Sequence, residues 1–129
     1  MKKTKTFVSF DYDNDLDIKS TLIGQSKLED SPFYIADFSI TEAVNENWKV
    51  YARKRIRQSE VVIFICGRCT ESAAGVAAEM SITQEEEKPY FLLCGRKDGN
   101  VKKPRGARAT DEIHEWTWDN LKKLISGKR

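Results

Sequence analysis

Two short apolar runs constrain the fold of this chain more than any other feature. Residues 61–66 and 89–94 are six residues each, and apolar side chains fill both of their faces. Strands that are buried on both faces are typical of the centre of a parallel sheet. The segment between them, from about Ala73 to Glu87, has Val76 and Met80 on one helical face. The sequence therefore predicts a strand–helix–strand unit with a right-handed crossover.

Other predicted strands and helices alternate on either side of this unit. They are a strand over 4–10, a helix over 15–24, a strand over 33–36 that ends at Asp37, a helix that begins at Ser39 or Thr41, an edge strand near Ile113 and a helix over 118–125. This alternation predicts an α/β fold, a flavodoxin-like doubly wound parallel sheet of four to five strands in the order 2-1-3-4(-5), in three αβα layers. We expect a single domain over residues 1–129, with a polar, basic surface loop over 95–110.

Composition excludes several classes of function. A net charge of +2 is too small to indicate nucleic acid binding. The basic run at residues 53–57 is interpreted as the solvated face of a helix rather than a phosphate-binding patch. No apolar run reaches the roughly 18 residues of a membrane span, and no export signal follows Met1. Three cysteines without an export signal indicate reduced thiols, so we expect a cytoplasmic protein without membrane partners.

Glu79 is the first candidate for a functional group. It lies in the helix that follows strand 61–66, and open α/β sheets bind ligands at the carboxyl ends of their strands. Its direction is about 60° from that of Val76 around the helix, so we expect it to flank the buried stripe. Small neighbours such as Gly75 leave space above the strand end. The competing interpretation is an ordinary solvent-facing glutamate. Asp11, directly after the first strand, is expected to face the same cleft.

The acidic turn over residues 11–17 is a weaker candidate site. Its spacing is that of a calcium loop, but Leu16 and Leu22 stand where that loop needs glycine and glutamate. A receiver-type magnesium site needs an aspartate at the end of the third strand, where this chain has Cys66-Gly67. A solvated turn and helix cap is therefore the favoured interpretation for the remaining aspartates. These are Asp13, Asp15 and Asp17.

Cys66 and Cys69 have the spacing of a redox dithiol, but the surrounding sequence argues against that role. Such a pair acts at a helix N-terminus, whereas here several residues separate it from the helix. A zinc site would need Cys94 and His114 to converge on the pair. We expect a strand-end cysteine and an incidental loop cysteine, with no metal bound.

Several motifs together resemble a known family. Residues 7–13 resemble the F-[VI]-S-[FY] first strand of Toll/interleukin-1 receptor (TIR) domains. More closely, the chain resembles the bacterial and archaeal TIR-like family of Thoeris anti-phage defence. The similarity continues in order along nearly the whole chain, at Ser31-Pro32-Phe33, Asp37-Phe38-Ser39, Trp48, residues 56–59, residues 61–63, Gly67, residues 70–79 and Lys88-Pro89.

The resemblance implies a reaction and a set of site residues. Catalytic TIR domains carry a serine followed by a W-C-x-x-E helix. Glu79 aligns with the catalytic glutamate, Ser72 is the nearest match to the serine, and Gly75-Val76 replaces Trp-Cys. The implied activity is cleavage of the nicotinamide–ribose bond of NAD to ADP-ribose or a cyclic ADP-ribose signal. NAD would be the substrate, with no separate cofactor. The residues expected to bind it are Phe10, Asp11, Asp37, Trp48 and Ser72.

Two alternatives to this enzyme stay open. The chain is also consistent with a non-catalytic module that binds a nucleotide or another TIR-like protein and signals by assembly, which the Gly75-Val76 substitution favours. A nucleoside deoxyribosyltransferase-like enzyme also uses a glutamate on a flavodoxin-like sheet. The expected partners are NAD or a related nucleotide, further copies of the chain, and another TIR-like or effector protein.

Overall fold

The described residues fold around one parallel sheet of five strands. The computed structural model describes residues 3–38 and 48–127. The strands lie in the order β2-β1-β3-β4-β5, and every neighbouring pair is parallel. Their bounds are β1 Thr4–Ser9, β2 Phe33–Phe38, β3 Val61–Cys66, β4 Tyr90–Cys94 and β5 Ile113–His114. The predicted flavodoxin-like order is confirmed, and the fifth strand is present.

In the described part of the chain, four helices cover the two faces of this sheet. They are α1 Tyr12–Ser26, α2 Trp48–Gln58, α3 Ala74–Glu85 and α4 Trp118–Ile125, with a 3₁₀ turn at Thr70–Ser72 before α3. One face packs with α1 and α4, through Val8, Phe10, Ile18, Leu22, Ile63, Leu93 and Leu121 among others. The opposite face packs with α2 and α3, through Phe7, Ala52, Ile56, Val62, Phe64, Val76 and Met80 among others. The three-layer arrangement follows from these two cores.

The ends of several elements differ from the sequence predictions. Helix α1 begins at Tyr12 rather than Asp15, and Asp15 has non-helical φ and ψ of −121° and 21° at a kink inside it. The carbonyl of Asp11 accepts the backbone N–H groups of Asn14 and Asp15, so the first turn forms directly after β1. Strand β2 continues to Phe38. The predicted helix start at Ser39 or Thr41 lies outside the described residues.

Ion pairs between α2 and α3 involve part of the basic run. Arg53 bonds Glu86 at 2.7 Å and Glu85 at 3.1 Å, and Arg57 bonds Glu86 at 2.6 Å. Hydrogen bonds from Arg57 and then Arg53 lower the pKa of Glu86 to about 2. Two of the basic side chains therefore fix α3 against α2 instead of only facing solvent.

The segment after β4 is irregular but is attached to the rest of the fold. Gln84 Nε2 donates to the Gly106 carbonyl at 3.0 Å, and Tyr90 Oη donates to Asp111 at 2.5 Å. Val101 and Ala107 pack against the core under α3. Within residues 3–38 and 48–127, none of the helices combines the length and the apolar character needed to cross a bilayer.

Candidate functional site

Glu79 is a buried carboxylate at the carboxyl edge of the sheet. Its side chain is 1% exposed, and its Oε1 accepts a hydrogen bond of 2.7 Å from Ser9 Oγ. Ser9 ends β1 and lies beside Phe64 of β3. The carboxylate therefore reaches from α3 across β3 to the end of β1. The strand order reverses between β1 and β3, and such a switch point is where open α/β sheets bind ligands.

The pattern of the local sequence explains this placement. Val76, Glu79, Met80 and Thr83 are all buried, and their spacing places them on one helical stripe. Glu79 is thus part of the stripe that faces the sheet, and the solvent-facing interpretation is wrong. On β1, side chains alternate between the two faces, so Ser9 points to the same face as Phe7, toward α2 and α3.

Open space adjoins Gly75, one helical turn before Glu79 on α3. A Cβ added at Gly75 would meet no atom within 4 Å. Gly75 precedes Glu79 by four residues, and residues at this spacing are neighbours on a helix surface. The helix surface at position 75 is therefore open, whereas the Glu79 carboxylate one turn later is buried against Ser9.

The other residues of the predicted site lie on different sides of the sheet relative to Glu79. Trp48 packs against the same core as Val76 and Met80. Phe10 packs in the core on the opposite face of the sheet, with α1 and α4. Ser72 is exposed, and its Oγ donates to the Cys69 carbonyl at 3.1 Å, within its own turn.

Two aspartates of that predicted site lie near the ends of the first two strands. Asp11 is 6% exposed and accepts a 2.7 Å hydrogen bond from Asn14 Nδ2. Asp37 belongs to β2 beside Phe7 of β1, and its side chain lies outside the described parts of the chain. Sequence reasoning missed Ser9 as a site residue. The available signal was a hydroxyl at the end of an apolar, buried strand.

Asp15 is a second buried carboxylate at this edge, and its interpretation as part of a solvated turn is wrong. Its side chain is 1% exposed, and its Oδ1 accepts from Arg96 Nη2 at 2.7 Å. Arg96 also bonds the exposed Asp17 at 2.7 Å and the Asn14 carbonyl at 2.9 Å. Burial raises the pKa of Asp15 and outweighs the bond from Arg96, which lowers it. We call Asp15 and Arg96 the Asp15–Arg96 clamp.

Comparison with known proteins assigns the chain to a family. Residues 7–100 match the family model described as Thoeris protein ThsB, TIR-like domain. The chain belongs to the Thoeris ThsB TIR-like domain family. The matched range contains Ser9, Asp15, Glu79 and Arg96. No curated protein matches the chain. Membership implies a role in Thoeris anti-phage defence and suggests a nucleotide as the signalling partner.

The cysteines of this ThsB TIR-like domain do not resemble a redox pair. Cys66 is buried and Cys69 is exposed, and both are free thiols. Burial raises the pKa of Cys66 to about 12, whereas redox-active thiols have lowered pKa values. In the ranges 3–38 and 48–127, no three or more His, Cys, Asp or Glu side chains are grouped as a metal site would require.

A cleft of about 900 Å³ opens on the α1 side of this ThsB TIR-like domain. We call it the Arg96–Trp116 cleft. Its lining combines α1, the end of β4 and the segment that follows, and it includes Asp17, Ile18, Gln25, Cys94, Arg96, Lys97, Val101, Glu115 and Trp116. Glu79 is not part of its lining, so this cleft and the family-aligned glutamate are separate places.

Proposed function

We propose that this ThsB TIR-like domain cleaves the nicotinamide–ribose bond of NAD, with Glu79 as its catalytic carboxylate. The product would be ADP-ribose or a cyclic ADP-ribose signal. The observation that carries the proposal is the position of Glu79, buried at the β1/β3 switch point and hydrogen-bonded by Ser9 at 2.7 Å. Membership of the ThsB TIR-like family supports the choice of reaction.

The chemistry needs one well-placed carboxylate. Cleavage of a glycosidic bond passes through a state in which the ribose ring carries positive charge. A carboxylate stabilises that charge best where water is excluded, because the local dielectric is low. The nicotinamide ring of NAD is already cationic and leaves as a neutral molecule, so no general acid is required. Water or a hydroxyl of the same nucleotide then bonds to the ribose carbon.

The neighbouring residues receive proposed roles that follow from their positions. Asp11 and Asp37 lie where β1 and β2 end, and Trp48 packs on the Glu79 side of the sheet. We assign them to the sugar and ring contacts of NAD. Ser72 ends the 3₁₀ turn that precedes α3 and is assigned to the outer rim. Phe10, which packs on the opposite face, would act by supporting the turn that carries Asp11.

One observation favours a second candidate function. Glu79 is 1% exposed in the single chain, and a catalytic group must reach its substrate. In a non-catalytic nucleotide-binding or assembly module, Glu79 would serve to join α3 to β1 through Ser9. For the enzyme, the same burial means that NAD binding must expose the Glu79 carboxylate, and that a second copy of the chain would then exclude water.

The test is NAD turnover by the wild type, Glu79→Gln and Glu71→Gln, each at low and high protein concentration. Glutamine keeps the shape and the acceptor oxygen for Ser9 but removes the charge. We expect Glu79→Gln to lower kcat by roughly 100-fold or more, as for loss of one electrostatic contact to a transition state. Glu71 is exposed in the adjoining 3₁₀ turn, so Glu71→Gln should match the wild type.

Other outcomes of the same assay would change the assignment. Equal turnover by the wild type and Glu79→Gln would contradict a catalytic role for Glu79. Self-association without NAD turnover in any sample would support the assembly module. Turnover of a deoxynucleoside in place of NAD would support the deoxyribosyltransferase-like alternative.

A further inference from the structure

We propose that Ser9 is a positioning residue for the NAD reaction, because its hydroxyl fixes the orientation of the Glu79 carboxylate. This inference rests on the proposed function. Ser9 Oγ donates to Glu79 Oε1 at 2.7 Å, and the two residues are 70 positions apart in the sequence. That distance is the usual one for a hydroxyl that donates to an oxygen acceptor. A hydroxyl carries one proton, so the Ser9 hydroxyl that donates to Glu79 has no second proton for another acceptor.

Ser9 is well suited to fix a flexible partner. It lies on β1, which is paired on one side with β2 and on the other with β3, and Ser9 itself lies beside Phe64. The backbone that carries the hydroxyl is therefore held by the sheet. A glutamate side chain has three rotatable bonds and extends from a helix. A donor on the sheet thus selects one direction of the carboxylate before NAD arrives.

The hydrogen bond of Ser9 assigns it to positioning rather than to direct catalysis. Ser9 is 0% exposed, and its single hydroxyl proton is donated to Glu79. A buried hydroxyl costs free energy unless it is hydrogen-bonded, and alanine would occupy this strand position without that cost. The hydroxyl is therefore best explained by what it does to Glu79.

The same strand offers a matched control for a purely structural hydrogen bond. Thr6 is also 0% exposed, and its Oγ1 donates to the backbone carbonyl of Tyr34 at 2.9 Å. Thr6→Val removes a buried hydroxyl from β1 with little change of shape and without touching Glu79. Ser9→Ala removes the hydroxyl that reaches Glu79. Both variants lose one buried hydrogen bond, so they separate loss of stability from loss of positioning.

The experiment measures kcat and KM for NAD in Ser9→Ala, Thr6→Val, Glu79→Gln and the double variant Ser9→Ala/Glu79→Gln, with unfolding curves for each. We expect Ser9→Ala to lower kcat by roughly 10- to 100-fold, the loss typical of a residue that orients another group. KM should change by less than about 3-fold, since ground-state binding is retained. Thr6→Val should keep the wild-type kcat. The double variant should be no slower than Glu79→Gln, because Ser9 acts through Glu79.

Three other outcomes of this experiment would overturn the role of Ser9, and one of them would also overturn the proposed function. Wild-type kcat in Ser9→Ala, together with an inactive Glu79→Gln, would overturn the role of Ser9 and leave the proposed function standing. Equal losses of kcat in Ser9→Ala and Thr6→Val would also overturn it, because any damage to β1 would then suffice. Wild-type turnover by Glu79→Gln would overturn both the proposed function and the inference.

Discussion

Glu79 and Asp15 form a natural pair for comparison, because both are buried carboxylates at the carboxyl edge of one sheet. Each is 1% exposed. Asp15 accepts from a guanidinium, Arg96 Nη2 at 2.7 Å, whereas Glu79 accepts from a neutral hydroxyl, Ser9 Oγ at 2.7 Å. The donor to Asp15 comes from the segment after β4, and the donor to Glu79 comes from a central strand.

The surroundings of the two carboxylates differ more than their burial. A Cβ added at Gly67 would lie 2.0 Å from Asp15 Oδ2, so the backbone closes over that oxygen. A Cβ added at Gly75, beside Glu79, would meet no atom within 4 Å. Asp15 is thus enclosed by a cation and by backbone, while the helix surface at Gly75, one turn before Glu79, is open. We conclude that Asp15 stabilises the fold, and this difference supports the proposal that Glu79 is the catalytic carboxylate.

Removal of Arg96 should give the largest loss of stability. In Arg96→Leu, Asp15 would stay buried without its guanidinium, and loss of one partner from a buried pair costs about 3–5 kcal/mol. We expect about 3 kcal/mol, near the lower end, because a protonated Asp15 relieves part of the cost. Urea unfolding measures the effect, and Lys97→Leu at the exposed adjacent position is the control.

The same variant tests whether the Asp15–Arg96 clamp serves the fold or the reaction. If Arg96→Leu kept the wild-type unfolding curve but lost NAD turnover, the Asp15–Arg96 clamp would belong to the reaction rather than to the fold. Turnover per folded molecule close to that of the wild type is the outcome that agrees with a stabilising role.

Replacement of Gly67 or Gly75 by alanine should change the stability by smaller amounts and in opposite directions. Gly67→Ala forces a methyl group into the Asp15 carboxylate, and we expect a loss of about 1–3 kcal/mol, as for overpacking in a core. Gly75→Ala fills open space inside α3 and should stabilise the protein by about 0.5–1 kcal/mol, because alanine favours the helix. Thermal and urea unfolding of both variants measure these changes. Equal losses in both would show that the space at Gly75 is closed.

Much of the fold is predictable from the sequence because the decisive signals are local. The apolar runs that became β3 and β4 predict central parallel strands, and the alternation with helices predicts the strand order. The ends of α1 were not predicted, since the Asp11 carbonyl bonds that begin the helix depend on backbone geometry. The α2–α3 ion pairs were missed because they join charges that are about 30 residues apart.

The candidate site was predictable only in part. The position of Glu79 after β3 predicts that it lies at the carboxyl edge of the sheet. Its burial, however, depends on how α3 packs against the sheet. Ser9 and Glu79 are 70 residues apart, and Asp15 and Arg96 are 81 apart. No periodicity within one element reports such contacts. Asp15 therefore looked like one more solvated aspartate, and Ser9 like an ordinary strand residue.

The most direct test of the central claim is a crystal structure of the wild-type protein soaked with NAD or ADP-ribose. The account predicts that the ribose next to the cleaved bond lies within hydrogen-bond distance of the Glu79 carboxylate, in the space beside Gly75. A nucleotide bound in the Arg96–Trp116 cleft, with Glu79 still enclosed against Ser9, would contradict it.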